Sequence, residues 1–139
     1  MNTLIGLGVF FYFMDKTLYP CKNKLSLKME LIHLIHNIGS ITMYLGPFLI
    51  KDKTILTLIL IGAGFVLVQG AVSKNRDQQC FLMPIYNREC GVDENRSLFD
   101  IMSIMGIKRL LTSEQFQYFY YIIQLLLYSI ILLKIFSKR

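Results

Sequence analysis

Five polar residues in an otherwise apolar stretch carry the first hint of chemistry. Glu30, His33, Asn37, Ser40 and Tyr44 follow one another at steps of three, four, three and four, with His36 beside them. That spacing lays the five along one face of a helix. Glu30-x-x-His33-x-x-His36 raises a metal or haem site, because imidazole is a common ligand and i, i+3 positions lie close together. The pattern departs from the zinc-protease signature, in which the histidines stand at i, i+4 around a Glu. There is no third His for a bis-histidine haem drawn from two helices, and metal sites usually assemble three or more ligands. No resident cofactor is therefore expected, and haem or metal at His33 and His36 is the minor reading.

Further polar residues fall at matching depth. Gln69 stands near the end of a second apolar stretch. Gln117 opens a third, and Tyr121, Gln124 and Tyr128 continue from it at steps of four, three and four. If the stretches pack together, Glu30, His33, His36, Asn37, Gln69, Gln117, Tyr121 and Gln124 line a polar pocket at one end. Polar side chains within membrane helices are functional candidates by default. The same pattern also serves as hydrogen-bonding glue between helices, which is the commoner use. Two loop thiols, Cys80 and Cys90, would lie over the mouth. They lack the Cys-x-x-Cys spacing of a redox-enzyme motif.

The elements that position these residues are long and apolar. The chain has 139 residues, is 54% hydrophobic and has a mean hydropathy of +0.48. Residues 28–50, 54–72 and 116–136 each approach the ~20 residues a bilayer crossing needs. The fold expected is an all-α integral membrane helical bundle in one domain. It has three long spans, a short N-terminal apolar helix over residues 3–14 and an amphipathic interfacial helix within the 73–115 loop. Residues 3–14 lack a basic leader and a small-residue cleavage site, so they read as a short or half-inserted helix and not as a cleaved signal. Asp15, Lys16 and the following residues to Lys24 read as a polar connector broken at Pro20. Ser26 is the expected N-cap of the central helix. Gly46-Pro47 is expected to loosen its last turn. Lys51-Asp52-Lys53 makes a tight hairpin, and Thr112-Ser113-Glu114-Gln115 matches a capping box.

The net charge of +6 does not point to nucleic acid, because the basic residues flank the apolar stretches and form no continuous face. The expected partners are the lipid bilayer and other membrane subunits, as a homo- or hetero-oligomer. The two long connectors share one side of the membrane. They carry ten Lys and Arg (four in residues 15–28, six in 73–115) against five on the other side. By the positive-inside rule both connectors are cytoplasmic and the C-terminus is opposite. Cys21, Cys80 and Cys90 would then be free thiols in a reducing compartment, and a loop disulfide would require the inverted topology.

The His-bearing span, the Gly-Pro break before a short hairpin and the run Cys80-Phe-Leu-Met-Pro-Ile-Tyr-Asn87 resemble an uncharacterised family of small multi-pass membrane proteins found in bacteria and large DNA viruses. That family carries a Cys-x-Leu-Thr segment after its second span. Here Met83 stands where the family has Thr, and the usual Trp before the Cys is missing. The resemblance covers about residues 31–100. It implies the fold and a role for His33, His36 and Cys80, but no activity. The function expected is a structural or assembly role in a membrane complex or virion membrane. The alternative is a ligand-binding or catalytic membrane protein whose polar pocket takes a lipid, quinone, haem or metal.

Overall fold

The computed structural model describes residues 2–72, 82–92 and 110–137. All regular structure among them is helical: α1 (Asn2–Leu18), α2 (Leu27–Leu49), α3 (Lys53–Val72), α4 (Leu82–Cys90) and α5 (Ser113–Phe136). The amphipathic helix expected at 97–111 falls almost entirely outside the described residues, as does Cys80.

Each boundary has a local cause. Ser26 caps α2 by accepting from the Met29 amide at 3.3 Å. Asp52 does the same for α3, accepting from Thr54 and Ile55 through Oδ1 at 2.9 and 3.0 Å. Thr112 and Gln115 form a reciprocal capping box at the start of α5. At the hairpin end, lysines satisfy carbonyls that helix C-termini leave open. Lys53 Nζ donates to Ile135 O at 2.8 Å and Ser137 O at 3.1 Å. Lys134 Nζ reaches Phe48 O and Ile50 O, each at 3.4 Å. Pro47 lies inside α2 and does not end it, since so near the C-terminus it removes a single helical hydrogen bond.

Two expectations need correction. The N-terminal helix does not stop at Met14 but runs through Asp15 and Lys16 to Leu18. The charged pair is helical because α2 offers partners for both side chains. Residues 82–90, read as part of an irregular loop, form α4. Its Pro84 sits in the first turn, where a missing N–H costs nothing.

The helices pack as an antiparallel series in which α1 lies chiefly on α2, α3 on α5, and α2 bridges to both α3 and α5. An apolar core at the hairpin end draws on all four long helices through Leu4, Ile41, Ile50, Leu56 and Ile131. A second cluster, Leu25, Met29, Tyr86 and Cys90, seats α4 at the opposite end. The α1–α2 crossing is close at Gly8, where an added Cβ would stand 2.6 Å from the Cα of Ile38. Gly8→Ala should therefore prise the helices apart, at about 1–3 kcal/mol. Gly6→Ala, with nothing within 4 Å of the new methyl, should be neutral or slightly stabilising. Thermal unfolding of the two variants in detergent checks the contrast.

The outer surface is apolar in bands. Leu58, Ile61, Phe65 and Val68 of α3 are all more than 60% exposed and share one face, at steps of three, four and three. Phe10 and Phe13 of α1, Leu31 and Ile35 of α2, and Ile122, Leu125 and Leu126 of α5 extend the apolar surface. Soluble monomers rarely expose so much contiguous apolar area. Among the described helices one, Glu114–Phe136, is long and apolar enough to cross a membrane by length and composition, with a mean hydropathy of 1.9. In α3 the qualifying stretch is shorter, Lys53–Val68.

Candidate functional site

The polar face of α2 meets α1 over its first three turns. Glu30 is held from two sides: Lys16 Nζ donates to Oε1 at 2.7 Å and the Tyr12 hydroxyl donates to Oε2. Tyr12 and Lys16 are i, i+4 on α1, so both reach the same carboxylate. One turn deeper, His33 Nε2 meets Asp15 Oδ2 at 2.5 Å. Both residues are buried, Asp15 at 1% exposure and His33 at 7%. Below them, Asn37 Nδ2 donates to the His33 carbonyl at 3.0 Å. Two atoms of the buried pair, Asp15 Oδ1 and His33 Nδ1, have no hydrogen-bond partner among the described residues.

The His33 ring lies between two tyrosines. Tyr12 meets it edge-on with centroids 5.1 Å apart, and Tyr86 of α4 packs on it, tilted, at 4.5 Å. The Tyr86 hydroxyl then donates to Cys21 Sγ at 3.5 Å. Burial, reinforced by the carboxylates of Asp15 and Glu30, raises the Tyr86 hydroxyl above the ordinary phenol range, so it stays a donor.

Cys21 is bonded to Cys90. The free-thiol expectation fails for these two residues, and so does a pairing of Cys90 with Cys80. The reason is the geometry of α4, whose last residue is brought against the connector after α1. Lys22 and Asn23 amides both donate to the Cys90 carbonyl, at 3.0 and 3.1 Å. Asn23 Nδ2 donates to Glu89 O at 3.4 Å, and the Ser26 amide donates to Glu89 Oε1 at 2.8 Å. A Schellman turn closes α4, with Gly91 N to Arg88 O and Val92 N to Asn87 O. Gly91 takes φ 73°, and a Cβ there would strike Asn23 Nδ2 at 2.6 Å. Side chain, backbone and sulfur contacts thus clamp α4 across the connector.

The Ser26 hydrogen bonds hold the Glu89 carboxyl below its ordinary value of 4.5. A lowered folded-state value means that the stabilisation is complete above the unfolded value and fades as pH falls through the folded one. The Ser26 amide resonance should therefore titrate with a midpoint below 4.5, and Glu89→Gln should abolish that titration.

Beside the clamp is an open cleft of about 290 Å³, bordered by Lys16, Tyr19, Cys21, Lys24, Glu30 and Tyr86 among others. Of the residues expected to line a pocket, Glu30 borders this cleft. His33 and Asn37 are buried and do not border it; His33 meets Asp15 of α1 and Asn37 bonds the α2 backbone. His36 is half-buried one step off the stripe. Tyr121 is half-buried and Gln124 fully buried on α5, the helix that packs chiefly on α3. Both amide atoms of Gln124 lack a hydrogen-bond partner among the described residues. The side chains of Gln69 and Gln117 lie outside the described residues. Among the described residues, no group of three or more His, Cys, Asp or Glu could hold a metal.

Asp15, Tyr12, Cys21 and Tyr86 escaped the sequence reading. One signal was available for the first two: Tyr12, Asp15, Lys16 and Tyr19 follow the i, i+3, i+4, i+7 pattern of a continuing helix face. Comparison with family models, curated proteins and solved structures yields no match.

Proposed function

We propose that the chain is a multi-pass membrane protein with a structural or assembly role. In this reading α2, α3 and α5 are the three long spans, α1 lies along α2, and the apolar bands face lipid. The clamped α4, with the connector between α1 and α2, forms a cap that offers a contact surface to other membrane subunits or to a second copy. The observation that carries the reading is the use made of the polar stripe. Glu30 is taken up by Lys16 and Tyr12, His33 by Asp15, and Asn37 by the α2 backbone. The contacts of Glu30 and His33 join α1 to α2, which is what interhelical polar glue does, while that of Asn37 stays within α2.

The disulfide bears on orientation. Cys21 and Cys90 sit in the two long connectors, and disulfides persist in oxidising compartments. The proposal accordingly sets both connectors outside the cytosol, against the modest charge bias of ten to five. An even number of crossings separates the two connectors, so both still share one side.

The ligand-binding alternative has in its favour the cleft, together with Asp15 Oδ1 and His33 Nδ1, unpartnered among the described residues. Native mass spectrometry of the protein extracted from membranes separates the readings. The structural role predicts self-association or a co-purifying membrane subunit, with no stoichiometric small molecule besides lipid. A haem, quinone or metal present at one per chain and lost in His33→Ala would overturn it.

A further inference from the structure

We propose that Cys21–Cys90 is a dithiol–disulfide exchange couple, with Cys21 as the exchanging sulfur and a protein dithiol as its substrate. The two sulfurs are not equivalent. Cys90 is 0% exposed within the Leu25, Met29 and Tyr86 cluster, whereas Cys21 borders the open cleft. An incoming thiolate therefore has access to one sulfur of the pair.

Cys21 has one hydrogen-bond donor placed to hold a thiolate. The Tyr86 hydroxyl, kept protonated, already donates to its sulfur. Two lysines and one carboxylate border the cleft. Lys16 is paired with Glu30, and Lys24 is the second cation on the cleft, opposed by the buried Asp15 carboxylate that acts on Tyr86. A hydrogen-bond donor and a nearby cation are the features that lower a thiol pKa and make it reactive. An accessible nucleophilic cysteine with a shielded resolving partner is the arrangement that two-step exchange requires.

The steps balance as follows. A substrate thiolate attacks Cys21 Sγ, the Cys21–Cys90 bond breaks, and Cys90 leaves as a thiolate that takes up a proton. The second substrate thiol, deprotonated, attacks its own sulfur in the mixed disulfide and expels the Cys21 thiolate toward Tyr86 and Lys24. The substrate dithiol is oxidised to a disulfide and the Cys21–Cys90 pair is reduced to two thiols, with two electrons transferred.

The test uses the full chain in its membranes, with glutathione as the probe. In a buffer of reduced and oxidised glutathione, the wild-type pair should interconvert between disulfide and dithiol while the bundle stays folded. Cys90→Ser, treated with oxidised glutathione, should accumulate glutathione on Cys21. Cys21→Ser should leave Cys90 unmodified. Tyr86→Phe should slow alkylation of reduced Cys21 at neutral pH by about tenfold, through a smaller thiolate fraction. If either cysteine variant fails to fold, pulse alkylation of the reduced wild type replaces it, with Cys21 expected to label well ahead of Cys90. A disulfide that yields to glutathione only when the whole bundle unfolds would overturn the proposal and leave a structural staple. Equal alkylation rates at the two cysteines would overturn it as well.

Discussion

Replacing His33 with alanine should cost about 3–5 kcal/mol of stability, the range for breaking a buried polar pair from one side. Among the described residues Asp15 would be left with both oxygens unpartnered at 1% exposure, since Oδ1 has no partner there already. Asp15→Ala should cost a similar amount for the converse reason. Losing the Lys16–Glu30 pair is a different matter. Its side chains are 42% and 25% exposed, so water screens it and Glu30→Gln should cost about 1 kcal/mol or less. The double variant Asp15→Leu, His33→Leu is the informative one. Filling the site with apolar volume is often neutral in stability. If the double variant folds and still assembles, the pair is glue. Loss of a bound molecule in a well-folded double variant would move the site to the ligand-binding reading. Denaturant titration in a fixed detergent, read by helical signal, measures the set.

Cys21→Ala removes a cross-link between residues 69 apart in sequence. The chain-entropy model gives about 4 kcal/mol for a loop of that length. In the proposed membrane reading the bilayer would confine the spans even with their packing lost, and the measured cost should fall toward the lower end, about 2 kcal/mol. The loss should also be local. Residues 82–92 are bound to the rest through the disulfide, the Cys90 carbonyl, Glu89 and the Tyr86 cluster. The apolar core of Leu4, Ile41, Leu56 and Ile131 lies at the other end. Hydrogen exchange should show protection falling within α4, which stays docked through its remaining contacts, while α2, α3 and α5 keep theirs.

The helix boundaries set by short-range chemistry were readable in the sequence. Ser26 and the Thr112–Gln115 box are three- and four-residue signals, and the structure uses both. The polar stripe of α2 was also readable, because a period of 3.6 needs no tertiary knowledge. Its meaning needed the neighbour. Glu30 and His33 gain their roles from Lys16 and Asp15, fourteen and eighteen residues earlier. A charged pair after an apolar run reads as an exit from the helix, so from sequence those two residues belong to a connector. The partners on α2 are what make continuation favourable, and propensity carries no trace of them. The disulfide was hidden for a related reason. Charge counting tests the balance between flanks, whereas the pairing depends on α4, a short helix with Pro84 in its first turn that periodicity does not reveal. Cys21 and Cys90 are 69 residues apart, and spacing alone could not choose between Cys21 and Cys80 as the partner.

The proposed membrane bundle has its two long connectors on one side, fastened to each other through Cys21 and Cys90. Its most direct test is alkylation of intact, carbonate-washed membranes with a membrane-impermeant maleimide, before and after reduction, with Cys21 and Cys90 followed by peptide mass. No label is expected at either residue before reduction; after it, label should reach Cys21 first and Cys90 more slowly, both from the same, non-cytosolic side. Label without reduction, or label at the two residues from opposite sides, would contradict it.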